Sequence, residues 1–416
     1  MSKEQLKKMD LIVKNAYQVL TFGGPRGART GRDMSDPVIV EDGAVAAKDG
    51  RIAFVGATAD LNINADEVID ARGKVVMPGF IDSHTHLVFA GSRENEFAMR
   101  LAGETYMDIA RKGGGIKSTV KSTREASMDE LFLLGKARLD EILKWGTTTV
   151  EVKSGYGLDT ENEIKILETV KKLDSEHPID LVATYLGAHD FPVEYANDRD
   201  GYVDQVISDI PEVAERKLAK FCDVFCEKGF YSVSQSRRIL EAGLEHGLSA
   251  KLHADELQSS GGAELAGELR AVSADHLLCP SEAGLLAMRN SGTVAVLLPG
   301  TSFFLNKNPA PARKMVDMGI PVAIASDYNP GSSPINHMPL VVGLACLQYG
   351  FSPAQSLAAA TVNAARALSL DREVGSLEVG KRADLIVLDV RSYLEVPYWF
   401  GRDPVERVIK GGKVVV

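Results

Sequence analysis

The stretch Val75 to Gly91, VVMPGFIDSHTHLVFAG, begins as an apolar run and ends on two histidines one residue apart, His84 and His86. Residues i and i+2 of an extended strand share a face, so both imidazoles can converge on one point where a buried strand ends. Two neutral imidazoles aimed at one point suggest a metal, whereas an H-x-H in a polar loop carries no such meaning. The residues around this stretch decide between the two readings.

Working outward from it, the chain alternates short β-branched runs with longer helical patterns up to about Leu370, the signature of parallel β/α units. About eight runs are legible: FIDSHTH, TTTVEVKSGY, DLVATYLGAHD, FCDVFC, LSAKLHADE, AVSADHLL, TVAVLLPG and IPVAIASDYN. That number fits a (β/α)8 TIM barrel over residues 75–370, with a doubly wound open sheet as the alternative. Between the runs, Met128 to Gly146 reads as a helix with a glycine stop, and Thr160 with Glu163 as a capping box. The ends differ in kind. Residues 1–74 read as hairpins, with Asp49-Gly50 as a turn, and 371–416 as short strands, so the two ends are expected to pair into one small β-domain.

Composition excludes several function classes. The 416 residues are 45% hydrophobic and 25% charged, as in soluble globular proteins, and the net charge of -10 argues against nucleic acid or an anionic membrane as partner. Lys14 interrupts the first apolar stretch too early for a signal segment, which points to the cytoplasm. Cys222 and Cys226 in FCDVFC lack the spacing of a structural zinc site and read as buried, reduced thiols.

In a β/α barrel the chemistry comes from the C-terminal ends of the strands. There His84 and His86 end the first run, His189 the third, His253 the fifth, His276 the sixth and Asp327 the eighth, while His246 and His337 fall in less informative turns. His84, His86, His253 and Asp327 make a mononuclear site for zinc or iron, with room for a water whose pKa such a metal lowers to about 7. Glu256, in HADELQ, is placed to take a proton from that water and deliver it to a leaving nitrogen; read by itself it would be a carboxylate at a helix start. His276 is left over from the ligand set and suits orienting the water or polarising the attacked carbonyl, against a plain core histidine. Lys153 could in principle be carboxylated and bridge two metals; a site with Glu256 favours one metal and a structural lysine.

These residues carry a resemblance. MPGFIDSHTH, HADE, ASDYNPGS and AATVNAARAL resemble the amidohydrolase superfamily, and VEVKSGYGL, YLGAHD and SDYNPGSS are similar to its imidazolonepropionase family. The resemblance covers essentially the whole chain. It implies hydrolysis of 4-imidazolone-5-propanoate to N-formimidoyl-L-glutamate, with one zinc or iron ion per subunit on His84, His86, His253 and Asp327, and a homodimer. It also implies substrate contacts by Arg93, Tyr156, His189 and Glu256, with Asn329, Gly331 and Ser332 near the product side. The chemistry agrees: Arg93 can grip a propionate tail, or else simply pair with Glu94 or Glu96; Tyr156 lies on a glycine-flanked loop able to close, or is a packed turn aromatic. The competing readings are a cyclic amidine deaminase of guanine or cytosine type, using the same metal set, and a non-catalytic barrel relative.

Overall fold

A computed structural model describes residues 8–24, 27–104 and 113–416. The N-terminal strand β1 (Met9–Leu20) centres a mixed sheet. It pairs antiparallel with β2 (Ile39–Lys48), which pairs with β3 (Arg51–Ala57), and it lies parallel to β4 (Ala65–Asp70) and β5 (Val75–Pro78). Between β2 and β3, Asp49 and Gly50 both take positive φ, +51° and +77°, the turn that matches the twist of a hairpin.

Eight parallel strands then follow one another in space as they do in the chain: β6 (Phe80–Asp82), β7 (Thr147–Lys153), β8 (Asp180–Ala188), β9 (Phe221–Cys226), β10 (Ser249–Ala254), β11 (Ser273–His276), β12 (Val294–Leu297) and β13 (Val322–Ile324). Their register is set by apolar residues buried on both faces, as expected where helices cover a parallel sheet. The last strand returns to the first at their C-terminal ends. His86 N–H donates to Tyr328 O (2.9 Å), Asp327 N–H to His84 O (3.0 Å) and Ser326 N–H to Asp82 Oδ1 (2.9 Å), which nearly closes the barrel and rules out the doubly wound alternative.

The chain ends back in the first sheet, where β14 (Leu385–Leu388) pairs antiparallel with β5, and β15 (Val405–Lys410) and β16 (Lys413–Val414) extend the edge. Val75–Pro78, which the sequence assigns to the barrel, therefore belongs to the terminal sheet, and the barrel begins at Phe80. An apolar run reads alike in either setting; only its hydrogen-bond partners distinguish them. Lys410 Nζ ties the two bodies together, reaching Asp384 Oδ2 (2.7 Å) just before β14 and Asp180 at the start of β8.

The helix Met128–Lys144 is capped by a Ser127–Glu130 box and stops, as expected, at Gly146, whose φ is +83°. One local expectation changes. The helix Thr160–Glu176 is capped by Asp159, whose side chain accepts Asn162 N–H (2.8 Å), and not by a Thr160–Glu163 box. Glu163 is instead buried, accepting the N–H groups of Gly155 (2.9 Å), Gly157 (2.6 Å) and Leu158 (2.9 Å), and so braces the loop that carries Tyr156. Cys222 and Cys226 are buried free thiols in β9, their acidities suppressed by burial. No helix among the described residues is long and apolar enough to cross a membrane.

Candidate active site

The barrel strands deliver His84, His86, His253, His276 and Asp327 to one buried cluster. Asp327 Oδ1 lies 3.4 Å from His84 Nε2 and 3.6 Å from His86 Nε2, and His86 Nε2 lies 3.4 Å from His253 Nε2. Donor atoms of His84, His86 and His253 fall within 4.8 Å of one another, as do those of His84, His276 and Asp327. His84 Nε2 is buried with no hydrogen-bond partner, an expensive state for a lone pair unless a cation meets it. Burial drives the His84 and His86 imidazoles well below their ordinary pKa, keeping them neutral as metal ligands must be. The donor set thus fits a cation with mixed nitrogen and oxygen ligands.

Beneath the cluster lies a layer of charge that the sequence reading did not assemble. His84 donates through Nδ1 to Asp275 Oδ2 (2.6 Å), and His253 Nδ1 sits 3.1 Å from Asp223 Oδ2. The Asp275 carboxylate fixes the tautomer of His84 and turns its Nε2 lone pair inward; burial lowers the His253 pKa, but Asp223 outweighs burial and raises it. Lys153 Nζ joins them, 2.7 Å from Asp223, 3.3 Å from Asp275 and 3.1 Å from Glu151, while Lys251 lies 2.8 Å from Glu151 Oε2. All five side chains are fully buried. Burial works against the Lys153 charge, but Asp223, Glu151 and Asp275 outweigh it and hold the ammonium above its ordinary pKa. Lys153 is therefore a structural cation engaged by three carboxylates. The signal for this layer was present in the sequence as charged residues inside otherwise apolar runs, such as Asp223 in FCDVFC.

Glu256 follows β10 and reaches back over the cluster, its Oε2 3.6 Å from His276 Nδ1. Burial, reinforced by the nearby Asp327 carboxylate, pushes its carboxyl up to about 7, where a group can both take and give a proton. Its loop is pinned on both sides: Asp255 accepts Ser260 N–H (2.6 Å) and Ala263 N–H (2.9 Å), and the buried Glu227 accepts Leu257 N–H (2.8 Å). His276 and Asp327 both hold left-handed backbone, φ +73° and +53°, uncommon for residues other than glycine and a mark of strain kept at functional sites.

His189, after β8, stacks on His86 with ring centroids 4.9 Å apart, and its Nδ1 bonds Gly155 O (3.0 Å); burial lowers its pKa to about 3, so it is neutral. Tyr156 is buried, its ring 5.6 Å from that of His86 and 5.5 Å from that of His189. It is thus a packed aromatic of the site wall, and its loop, braced by Glu163, is not an open flap.

Three of the expected contacts are engaged within the chain, Arg93 in the alternative pairing with Glu96. Arg93 sits at the rim with Nε and Nη2 both directed at Glu96 Oε2 (2.9 and 2.7 Å), so one edge of its guanidinium is already taken and its Nη1 side remains. A Cβ on Gly331 would lie 2.0 Å from Arg93 Nη1, so a side chain there would push the guanidinium from the position it holds. Asn329 turns inward: its Nδ2 donates to Asp327 O (2.6 Å) and its Oδ1 accepts the N–H groups of Gly331 and Ser332 (2.8 Å each). Asn329 and Ser332 therefore spend their side-chain bonds on holding the loop, a local satisfaction that the motif alone does not reveal. Of the remaining histidines, His337 caps a helix, His246 ends one, and His177 pairs with Asp140 (3.3 Å) ahead of β8, all away from the cluster.

The barrel with its strand-end cluster of histidines and an aspartate is the architecture of the amidohydrolases, and the Amidohydrolase family profile matches residues 232–415, with a second profile of that description on 67–111. The imidazolonepropionase of Geobacillus kaustophilus is 52% identical over 98% of both chains, and that of Alkaliphilus metalliredigens 48% identical over the same shares. The chain belongs to the imidazolonepropionase family. Solved structures agree in fold: a triazine hydrolase variant superposes with a TM-score of 0.74 at 16% identity, covering 99% of this chain and 95% of its own. An adenosine deaminase from Xanthomonas campestris with bound zinc gives 0.72 at 20%, covering 98% and 93%.

Proposed function

We propose that the protein hydrolyses the ring C–N bond of 4-imidazolone-5-propanoate, giving N-formimidoyl-L-glutamate in L-histidine degradation. The observation that carries this reading is the near-full-length identity to imidazolonepropionases, joined to a site with buried neutral imidazoles, a carboxyl poised near neutrality and a guanidinium at the rim.

One zinc or iron ion per chain would be held by His84, His86, His253 and Asp327, and would supply Lewis acidity and a lowered pKa for water. The chain's own groups do the rest. Glu256 takes a proton from the attacking water, whose oxygen goes to the ring carbonyl carbon, and returns that proton to the departing ring nitrogen. His276, neutral through burial, donates to the oxyanion that develops on the carbonyl. Arg93 meets the propionate through its free edge, while His189 and Tyr156 wall the ring; the loop of Asn329, Gly331 and Ser332 sets where Arg93 can lie.

The test is direct. Purified protein is incubated with freshly generated imidazolone propionate and the product identified by mass. N-formimidoyl-L-glutamate supports the reading, and ammonia release with the ring intact would favour a deaminase.

A further inference from the structure

The candidate ligand Asp327 is held at every point but one. Its N–H donates to His84 O (3.0 Å), its carbonyl accepts Asn329 Nδ2 (2.6 Å), and its Oδ2 accepts the hydroxyl of Thr301 at 2.6 Å. Only Oδ1 remains, and it is the oxygen that faces His84 Nε2 and His86 Nε2. Thr301 lies in the short helix Pro299–Phe304 just past β12, and both it and Asp327 are buried. The helix packs closely on the segment that carries Asp327: a Cβ on Gly300 would begin 3.0 Å from Ser333 Oγ and 3.4 Å from Ser326 O.

We infer that Thr301 is a positioning residue of this site. Its hydroxyl occupies Oδ2, locks the side-chain rotamer of Asp327 and presents the carboxylate to the metal through Oδ1 alone. A carboxylate presented through one oxygen would leave more of a cation's coordination free for substrate and water.

The inference rests on the reading of Asp327 as a metal ligand, so the experiment separates the two. Zinc-loaded wild type, Thr301→Val, Thr301→Ser and Asp327→Ala are titrated against a chelator of known affinity, with steady-state kinetics and a thermal melt of each. Loss of a partner that orients a metal ligand costs about 10–100-fold in metal affinity or activity. Thr301→Val, which matches the shape but cannot donate, is expected to weaken zinc binding by about that factor and to lower kcat with KM unchanged, and Thr301→Ser to restore both. A Thr301→Val enzyme with wild-type zinc affinity, or one that loses only thermal stability, overturns the inference while Asp327→Ala still reports a ligand. If Asp327→Ala also keeps its zinc, the ligand assignment itself fails. Should Thr301→Val not fold, Thr301→Ser against Thr301→Ala makes the same comparison, and equal affinities overturn the proposal.

Discussion

Replacing Arg93 by alanine tests the part of the site that distinguishes a carboxylate-bearing lactam from a neutral ring. The side chain is 16% exposed and its partner Glu96 12%, so the pair is largely desolvated. Both donors that reach Glu96 converge on Oε2, while Oε1 takes Gly115 N–H (2.9 Å). Glu96 thereby steers the guanidinium and leaves its Nη1 side for a ligand. Truncating one partner of a desolvated charge pair formed on binding, here the guanidinium and the substrate's propionate, costs about 2–5 kcal/mol, or roughly 30-fold or more in kcat/KM. Arg93→Ala is expected to lose at least that much on imidazolone propionate with its metal content unchanged. Arg93→Lys should recover only part, because an ammonium cannot hold Glu96 and the substrate in one planar geometry. The assay compares the acid with its neutral propionamide analogue, using wild type and variant at matched folded fractions. A much smaller penalty on the amide is the expected result. Equal penalties would show that Arg93 serves only to hold Glu96 and the helix Glu94–Leu101, and the carboxylate contact would pass to another residue, His189 first.

Glu256→Gln should keep the metal and the fold yet lose most of kcat, since an amide cannot accept a proton; near-native turnover would remove Glu256 from the mechanism. Its carboxyl is raised to about 7, so the proton-accepting form is depleted as pH falls through that value, and kcat/KM of the wild type should drop about tenfold per unit below it, which a pH profile reads directly. Lys153→Met removes the cation shared by Asp223, Asp275 and Glu151 and should cost about 3–5 kcal/mol in urea unfolding; an unchanged midpoint would contradict a load shared by those three carboxylates. Elemental analysis should find close to one metal per chain and intact mass an unmodified Lys153, because a carboxylated Nζ would repel the carboxylates already around it. Chelation should lower Tm by uncoupling His84, His86, His253 and Asp327, and either zinc or iron should restore it; an unshifted Tm would argue against a bound ion.

The sequence by itself determined the alternation of strand and helix, the pairing of the two ends into a second sheet, and which residues stand at strand ends. These are local properties: period, turn chemistry and polar residues closing apolar runs. That is why His84, His86, His253, His276 and Asp327 could be named before any contact was known. Only the tertiary structure decided what depends on residues distant in the chain. Val75–Pro78 went to the terminal sheet because β1 and β14 offered hydrogen bonds there. Glu163 left its helix cap to satisfy three buried N–H groups of a loop. Arg93 found Glu96, Asn329 closed on its own loop, and Thr301 reached Asp327. A buried polar group must find a partner, and which partner it finds is set by packing in three dimensions, which no spacing along the chain encodes.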